Sequence, residues 1–265
     1  MVAEAEPTPA QSDVDASQEG FAFRFDWGPN GLRALAPVSH VLVVVDVLRF
    51  TTAVSAAVES GATVFPYRWA DDGAAAYAAA RHAVLGGRRE DGRPSLSPTD
   101  LLTLTAGTRL VLPSPNGSAL AFAAREHGSG YVLAGCLRNA NATAHVARRL
   151  AGSDGVIGVI AAGERWRGAT GPLRPAVEDL LGAGAVLAAL DPSASISQPG
   201  CSPEAAAARA AFVAARPRLR EILPTTTSGR ELVARGFADD VDTSSALDVT
   251  STAAILRDDA FVAWT

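Results

Sequence analysis

A short apolar run, Val41-Leu-Val-Val-Val45, constrains the fold of this 265-residue chain more than any other segment. It is rich in β-branched residues and shows no alternation, which predicts a parallel strand buried on both faces. Asp46 follows directly, and within the next six residues come Arg49, Thr51 and Thr52. The carboxyl ends of such strands border the ligand crevice of an open α/β sheet. These side chains suit a divalent cation and the phosphate that it neutralises, although an exposed turn can carry the same residue types.

The rest of the chain repeats a strand, a turn and a helix. This alternation predicts a three-layer α/β/α fold with a mostly parallel sheet and helices on both faces. Strands are expected at 21–27, 41–45, 62–67, 108–112, 130–137, 156–161 and 260–264. Helices are expected at 52–60, 72–84 (capped by Asp71 or Asp72), 118–126, 142–150, 175–190, 204–216 and 228–236, and a loop at 86–98. Residues 1–20 are predicted to be a disordered tail, and residues 21–265 the folded domain, with a division into two subdomains left open.

Composition excludes several classes of function. All 23 basic residues are Arg, so a Schiff-base lysine and the lysine of a P-loop are both absent. A net charge of −5 argues against nucleic acid and against an anionic membrane surface. The first twenty residues lack the basic start and apolar centre of a signal peptide, and no apolar run is long enough for a membrane helix. A cytoplasmic protein is therefore predicted, and Ala-rich apolar helices leave a homodimer open.

Polar side chains follow four of the predicted strands, where the sequence turns toward a helix. They are Asp46 and Arg49; Asn116, Gly117 and Ser118; Asn139; and Glu164 and Arg165. In a parallel sheet these strand ends share one edge, and the helix starts there attract anions. Asn and Ser are also common helix N-caps, so each group taken alone has a purely structural explanation. Glu178 and Asp179 open an apolar helix, where acidic residues either face the site or complement the helix dipole.

Several familiar mechanisms do not fit these residues. The chain has no G-x-S-x-G nucleophile elbow. Asp46 lacks the second Asp, two residues on, that an aspartyl-phosphate phosphatase of the haloacid-dehalogenase type carries. The four histidines are scattered and form no metal pair. What remains is oxygen ligation of a hard cation, most simply Mg²⁺, with Arg holding a phosphate.

These motifs resemble the 2-phosphosulfolactate phosphatase family. The resemblance rests on Val45-Asp46-Val-Leu-Arg49-Phe-Thr51-Thr52, Pro115-Asn116-Gly117-Ser118, Leu137-Arg-Asn139-Ala140, Ala162-Gly163, Glu178-Asp179-Leu-Leu-Gly-Ala-Gly184 and, more weakly, Gly236-Phe-Ala-Asp239-Asp240-Val. It implies an α/β/α fold and a Mg²⁺-dependent acid phosphatase that acts on small phosphate esters of 2-hydroxycarboxylic acids. It also implies roles for particular residues: metal ligation by Asp46, Glu178 and Asp179; catalysis by Asp46, Arg49, Asn116 and Glu178; and substrate or phosphate binding by Thr51, Thr52, Gly117, Ser118, Asn139, Glu164 and Arg165.

One loop departs from the family pattern. The pattern has Gly-Glu-Arg followed by Gly-Phe-Asp-x-Gly-Asn-Ser-Pro, whereas this chain has Gly87-Arg88-Arg89 and then Pro94-Ser-Leu-Ser97-Pro98. The loss of Glu, Asp and Asn predicts a changed specificity if the loop contacts the substrate, and Arg88 and Arg89 could supply new anion contacts. Two functions remain open at this point: a phosphatase, and a non-catalytic anion- or metabolite-binding protein on the same fold.

Overall fold

The computed structural model describes residues 16–68, 73–87, 93–166, 171–192 and 200–265. Most of the predicted tail lies outside the described residues. So do Asp71 and Asp72, predicted as a helix cap, and Arg88 and Arg89, predicted as anion contacts.

Nine strands of the described chain form one sheet. Their bounds are β1 Phe23–Trp27, β2 Val41–Val45, β3 Thr63–Tyr67, β4 Val84–Leu85, β5 Arg109–Pro113, β6 Tyr131–Gly135, β7 Ile157–Ala161, β10 Ala254–Arg257 and β11 Ala260–Ala263. The order across the sheet is β1-β7-β2-β6-β10-β11-β3-β5-β4. Two further short strands, β8 Glu164–Arg165 and β9 Leu173–Arg174, form a separate antiparallel pair.

Helices cover both faces of the sheet. The α-helices of the described residues are α1 Gly28–Leu35, α2 Phe50–Glu59, α3 Gly73–Ala80, α4 Pro98–Leu101, α5 Gly117–Glu126, α6 Ala140–Ala151, α7 Val177–Leu190, α8 Pro203–Ala215, α9 Leu219–Ile222, α10 Thr227–Ala234 and α11 Ala238–Ser245. The predicted three-layer α/β fold is therefore confirmed. None of these helices is both long and apolar enough to cross a membrane.

Strand β2 shows why the apolar run in the sequence has no alternation. All five of its residues are buried. Val41, Val43 and Val45 pack with α6, α7 and α8 on one face of the sheet. Leu42 and Val44 pack with α1 and α5 on the other face. Because β2 also lies between β6 and β7, it is a central strand covered on every side, and its carboxyl end opens into the interior of the fold.

The sheet contains a reversal that the sequence did not predict. Strands β1, β7, β2 and β6 run parallel to one another, as do β3, β5 and β4. The hairpin β10–β11 joins the two groups through three antiparallel pairings. Strand β5 therefore runs opposite to β2, and the expectation that all four polar strand ends share one parallel edge is wrong for the segment after β5.

That segment nevertheless reaches the end of β2. Five strand pairings separate β2 from β5. A direct hydrogen bond between the turn after β5 and the turn after β2, described below, joins them.

Several elements of the described residues differ from the sequence-based expectation. Helix α1 lies in a stretch for which no element was predicted, and α11 and β10 lie in a C-terminal region predicted to hold turns and one strand. The helix expected at 72–84 ends at Ala80, and strand β4 follows at Val84–Leu85. The loop predicted at 86–98 also contains the start of α4 at Pro98. Of these, α11 bears on function, because it brings Asp240 to the site.

Candidate active site

Asp46 lies at the carboxyl end of β2 and joins the N-termini of two helices. Its side chain is 7% exposed. Oδ1 accepts a hydrogen bond from the Phe50 amide at the start of α2 (3.2 Å), and Oδ2 accepts one from the Gly117 amide at the start of α5 (3.0 Å). Free amides and the helix dipole make such places favourable for negative charge. The two helix starts thus offset part of the cost of placing the Asp46 carboxylate in the interior.

Gly117 is required by this close approach and not by an unusual backbone angle. A Cβ at this position would collide with the Phe50 ring and would lie 2.7 Å from Asp46 Oδ2. No other residue type leaves the Asp46 carboxylate in its observed position, which gives the Pro115–Ser118 motif a physical reason for its glycine.

We predict that Gly117→Ala lowers kcat/KM at least about a hundredfold, because displacement of a reacting group by an ångström has that order of effect. Overpacking should lower the free energy of unfolding by only about 1–3 kcal/mol. Phosphate-release kinetics and chemical denaturation measure the two effects. A variant with wild-type kcat/KM would show that the Asp46–Gly117 contact is not needed.

Asp179 ties two turns of the site together from the start of α7. Its Oδ1 accepts from the Val47 amide (2.7 Å), and its Oδ2 accepts from the Gly163 amide (2.9 Å). These amides belong to the turns that follow β2 and β7, so Asp179 fixes the position of one turn relative to the other. The neighbouring Glu178 is 2% exposed. Both acidic residues thus face the interior and not solvent.

Glu164 is the fourth acidic residue of the site. Its Oε2 accepts from Asn116 Nδ2 (3.0 Å), which links the turn after β7 to the turn after β5. We call Asp46, Glu164, Glu178 and Asp179 the carboxylate cluster. The structure brings these four predicted residues together with two more, Asn116 and Gly117, whereas Asn139 bonds the backbone of its own segment.

Burial and mutual repulsion raise the pKa values of three of these carboxyl groups. Burial raises the pKa of Asp46 to about 6, and the negative charge of Glu178 acts in the same direction, although the amides of Phe50 and Gly117 oppose it. Burial, followed by the charges of Asp46 and Glu178, raises the pKa of Glu164 to about 7. The same causes raise the pKa of Asp179 well above its usual value. Such perturbed acids in one buried place are typical of functional sites.

These pKa shifts predict how stability depends on pH. Between about pH 4.5, where an unfolded Glu titrates, and about pH 7, the folded protein binds the Glu164 proton more tightly than the unfolded chain does. The free energy of unfolding should therefore fall as pH rises through this window. In metal-free buffer, Glu164→Gln should flatten the fall, whereas Glu231→Gln, on the exposed face of α10, should leave it unchanged. An unaltered pH profile in Glu164→Gln would contradict the prediction.

The cluster also has the chemistry of a Mg²⁺ site. Carboxylate oxygens are the ligands that Mg²⁺ prefers, and buried carboxylates are normally paired or metal-bound. Within the described residues, no group of three or more His, Cys, Asp and Glu is arranged to hold a metal by itself. Mg²⁺ in proteins is usually held by one or two carboxylates, several waters and a substrate phosphate. The oxygen donors present fit that chemistry, but both Asp46 and Asp179 already accept two backbone amides each, and ligation by Asp46, Glu178 and Asp179 stays a prediction.

Arg49 is held beside the cluster by a residue from the far end of the chain. Its Nη1 lies 2.6 Å from Asp240 Oδ2, and its guanidinium stacks on the Phe237 ring with 4.6 Å to the ring centre. Asp240 is fully buried and also accepts a hydrogen bond from Ser97 Oγ. Sequence analysis did not select Asp240 or Ser97 as site residues. Asp240 lies in the weak C-terminal motif, and Ser97 lies in the loop that departs from the family pattern.

Four predicted binding residues bond the backbone of their own turns. Thr51 Oγ1 bonds the Asp46 backbone, Thr52 Oγ1 donates to Val47 O, and Ser118 Oγ donates to Leu112 O. Asn139 accepts from the Cys136 amide and donates to Ala134 O. They shape the turns around the cluster, and their contact with a substrate stays a prediction.

Arg165 differs from those four residues. Its Nη1 donates to Gly171 O (3.2 Å), and the side chain lines a cavity together with Asn116. It therefore lies at the border between the cluster and open space that a ligand could fill.

A three-layer α/β fold with buried, pKa-shifted carboxylates at strand ends and helix N-termini is the architecture of an enzyme that acts on small anionic molecules. Comparison with known proteins identifies the family. The family model of 2-phosphosulpholactate phosphatase matches residues 31–259. The chain is also 30% identical to the 2-phosphosulfolactate phosphatase of Methanothermobacter thermautotrophicus (strain Delta H) over 223 residues, which are 83% of this chain and 88% of that protein.

The chain thus belongs to the 2-phosphosulpholactate phosphatase family and is a phosphoric monoester hydrolase. The resemblance recognised in the sequence motifs is confirmed.

Proposed function

We propose that this protein hydrolyses phosphate monoesters of 2-hydroxycarboxylic acids of the 2-phosphosulfolactate type. The observation that carries the proposal is Asp46, a buried acidic residue bonded to the amides that start α2 and α5. The family match supports the reaction, since the named relative is a 2-phosphosulfolactate phosphatase. The family match also favours an enzyme over the non-catalytic binding protein that the sequence alone left open.

The residues of the site divide the work of hydrolysis. Water attacks phosphorus and gives up one proton to an ionised carboxylate of the cluster, the bond between phosphorus and the ester oxygen breaks, and that oxygen takes up a proton, so that no net proton is consumed. The positive charge of Arg49 and the two helix starts stabilise the negative charge that gathers on the phosphoryl oxygens. Glu164, whose pKa lies near 7, can hold the proton that the leaving oxygen needs at mildly acidic pH. Asn116 orients Glu164 through its hydrogen bond.

Mg²⁺ is part of the proposal. Asp46 and Glu178 would hold the ion, and Asp179 would contribute through the lone pairs that its two amide bonds leave free. Bound there, Mg²⁺ would supply charge neutralisation for the phosphoryl group.

The cytoplasmic location and the homodimer stay predictions.

The substrate class is tested with a panel of phosphate esters in the presence of Mg²⁺. The panel pairs 2-phospholactate and 2-phosphosulfolactate with esters that lack the adjacent carboxylate, such as glycerol 2-phosphate. We expect kcat/KM at least about tenfold higher for the 2-hydroxy acid esters, because a lost charge-assisted contact costs about that much or more. Equal values across the panel would contradict the proposed substrate class, and no release from any ester by folded protein would contradict hydrolysis itself.

A further inference from the structure

A cavity of about 210 Å³ lies beside the carboxylate cluster. It is smaller than the usual site for a drug-sized ligand, so it suits part of a small metabolite. Asn116, which donates to Glu164, and Arg165, which adjoins Glu164 in the chain, both line it. The cavity therefore adjoins the turns that carry Glu164 and Asn116. Its apolar wall consists of Pro29, Pro115, Ala119, Leu120, Ala123 and Ala162.

Small residues on one face of α5 create the space. Ala119 and Ala123 are four positions apart, which places them one above the other on the same side of the helix. Both are partly exposed, whereas Ala121 and Ala124 on the opposite side are buried in the core. A longer side chain at either position would project into the cavity. Its volume therefore depends on two alanines that are only partly buried, of which Ala123 also packs against the core at its edge.

The charged groups at the wall are two arginines. Arg68 pairs with Glu126 (2.7 Å) and lies over the Phe122 ring, and its buried Nε has no hydrogen-bond partner among the described residues. Arg165 has one bond, to a backbone carbonyl, through Nη1. Guanidinium groups bind carboxylates well. Apart from the amide of Asn116, the remaining described residues of the wall are apolar and offer no partner to a second anion, and burial of an unpaired anion is strongly unfavourable.

We propose that this cavity receives the side chain of the 2-hydroxy acid and selects an alkyl group, while Arg68 and Arg165 bind the neighbouring carboxylate. The inference rests on the proposed function, because it assigns the part of the substrate that does not react. Selection of an alkyl group would make this protein different from an enzyme that accepts only esters with a small, charged side chain.

The test is a series of esters that differ only in the side chain. We expect kcat/KM to rise about fourfold for each added methylene from 2-phospholactate through the phosphates of 2-hydroxybutyrate and 2-hydroxyvalerate, until the cavity is full. The value for 2-phosphosulfolactate should lie below that for 2-hydroxyvalerate phosphate. A higher value for the sulfonate, or no dependence on chain length, would overturn the proposal.

Two variants test whether the dependence of kcat/KM on side-chain length arises in this cavity. In Ala123→Leu, the ratio of kcat/KM between the longest and the shortest ester should fall at least tenfold, because the new side chain occupies the cavity. Leu is a strong helix former, so α5 should persist. Ala207→Leu makes the same change on the exposed face of α8 and should keep the wild-type ratio. An equal ratio in Ala123→Leu and wild type would place the selectivity elsewhere.

Binding of the free acids separates this inference from the proposed function. Calorimetry should show that wild type binds 2-hydroxyvalerate at least tenfold more tightly than lactate, and that Ala123→Leu loses this difference. If no ester is hydrolysed but the acids bind in this order, the hydrolase proposal fails and the cavity assignment stands. If the esters are hydrolysed and the acids show no such order, the cavity assignment fails alone.

Discussion

Replacement of Asp46 by Asn is expected to lower kcat for phosphate release at least about a thousandfold, the upper range for loss of one preorganised electrostatic group. Asn matches Asp in size but lacks the charge. It can also offer only one acceptor oxygen to the two amides of Phe50 and Gly117, so an NH₂ group must face one of these donors. The change therefore removes both the candidate metal ligand and the alignment of the two helix starts.

The matched control is Asp154→Asn, an exposed position outside the site. It should keep wild-type kcat. Circular dichroism and thermal unfolding establish that both variants are folded. If folded Asp46→Asn keeps more than about a tenth of the wild-type kcat, Asp46 is not the central group of the site and the assignment of the cluster is wrong.

Replacement of Asp240 by Ala is the second change with a large expected effect. It leaves Arg49 without its ion-pair partner and Ser97 without its acceptor. Loss of one member of a buried ion pair costs about 3–5 kcal/mol. Because the Arg49 side chain is 19% exposed and water can partly replace the lost partner, we expect the lower end, about 3 kcal/mol, in the free energy of unfolding.

The activity of an Asp240 variant should change as well. Without Asp240, Arg49 would lose the ion pair that helps to hold its guanidinium over the Phe237 ring. An ion pair to phosphate contributes about tenfold or more to binding, so KM should rise at least about tenfold when Arg49 is no longer held in place. Asp240→Asn, which keeps the shape and an acceptor for Ser97, separates charge from packing. It should retain most of the stability but not the low KM.

The same helix offers the control for Asp240. Asp242 pairs with Arg220 (2.6 Å), but their side chains are 61% and 65% exposed. Pairs of this kind contribute about 0–1 kcal/mol. Asp242→Ala should therefore leave both denaturation and kinetics near wild type. If Asp240→Ala behaves like Asp242→Ala, the Arg49–Asp240 pair has neither the structural nor the functional role assigned to it.

The parts of the site that the sequence predicted are those formed by local rules. Val41–Val45 had to be a buried strand because of its composition, so Asp46 had to follow at a strand end. Asn116 and Gly117 likewise open a helix after a strand, and Glu178 and Asp179 open an apolar one. Local pattern was sufficient to place the acidic residues in one region, although it assigned them to a uniformly parallel edge.

The parts that it missed depend on distant contacts. Strand β10 has only four residues, and nothing in Ala254–Arg257 indicates that its hairpin with β11 reverses the direction of β3, β5 and β4 relative to β2. Helix α11 begins with two acidic residues and has few apolar ones, so its pattern resembles an exposed turn. Asp240 acquires its role only when α11 packs near Arg49, 191 positions earlier in the chain. The spacing of residues within a motif or an element does not predict a contact between two residues so far apart in the chain.

The most direct test of the account is phosphate release from 2-phosphosulfolactate by protein treated with EDTA, before and after Mg²⁺ is restored. We predict turnover that rises at least about a hundredfold when Mg²⁺ returns, since a bound metal contributes several kcal/mol of charge stabilisation. Equal rates with EDTA and with Mg²⁺ would refute the metal assignment. No release at any Mg²⁺ concentration, from protein shown to be folded, would contradict the central claim that the carboxylate cluster is a phosphatase site.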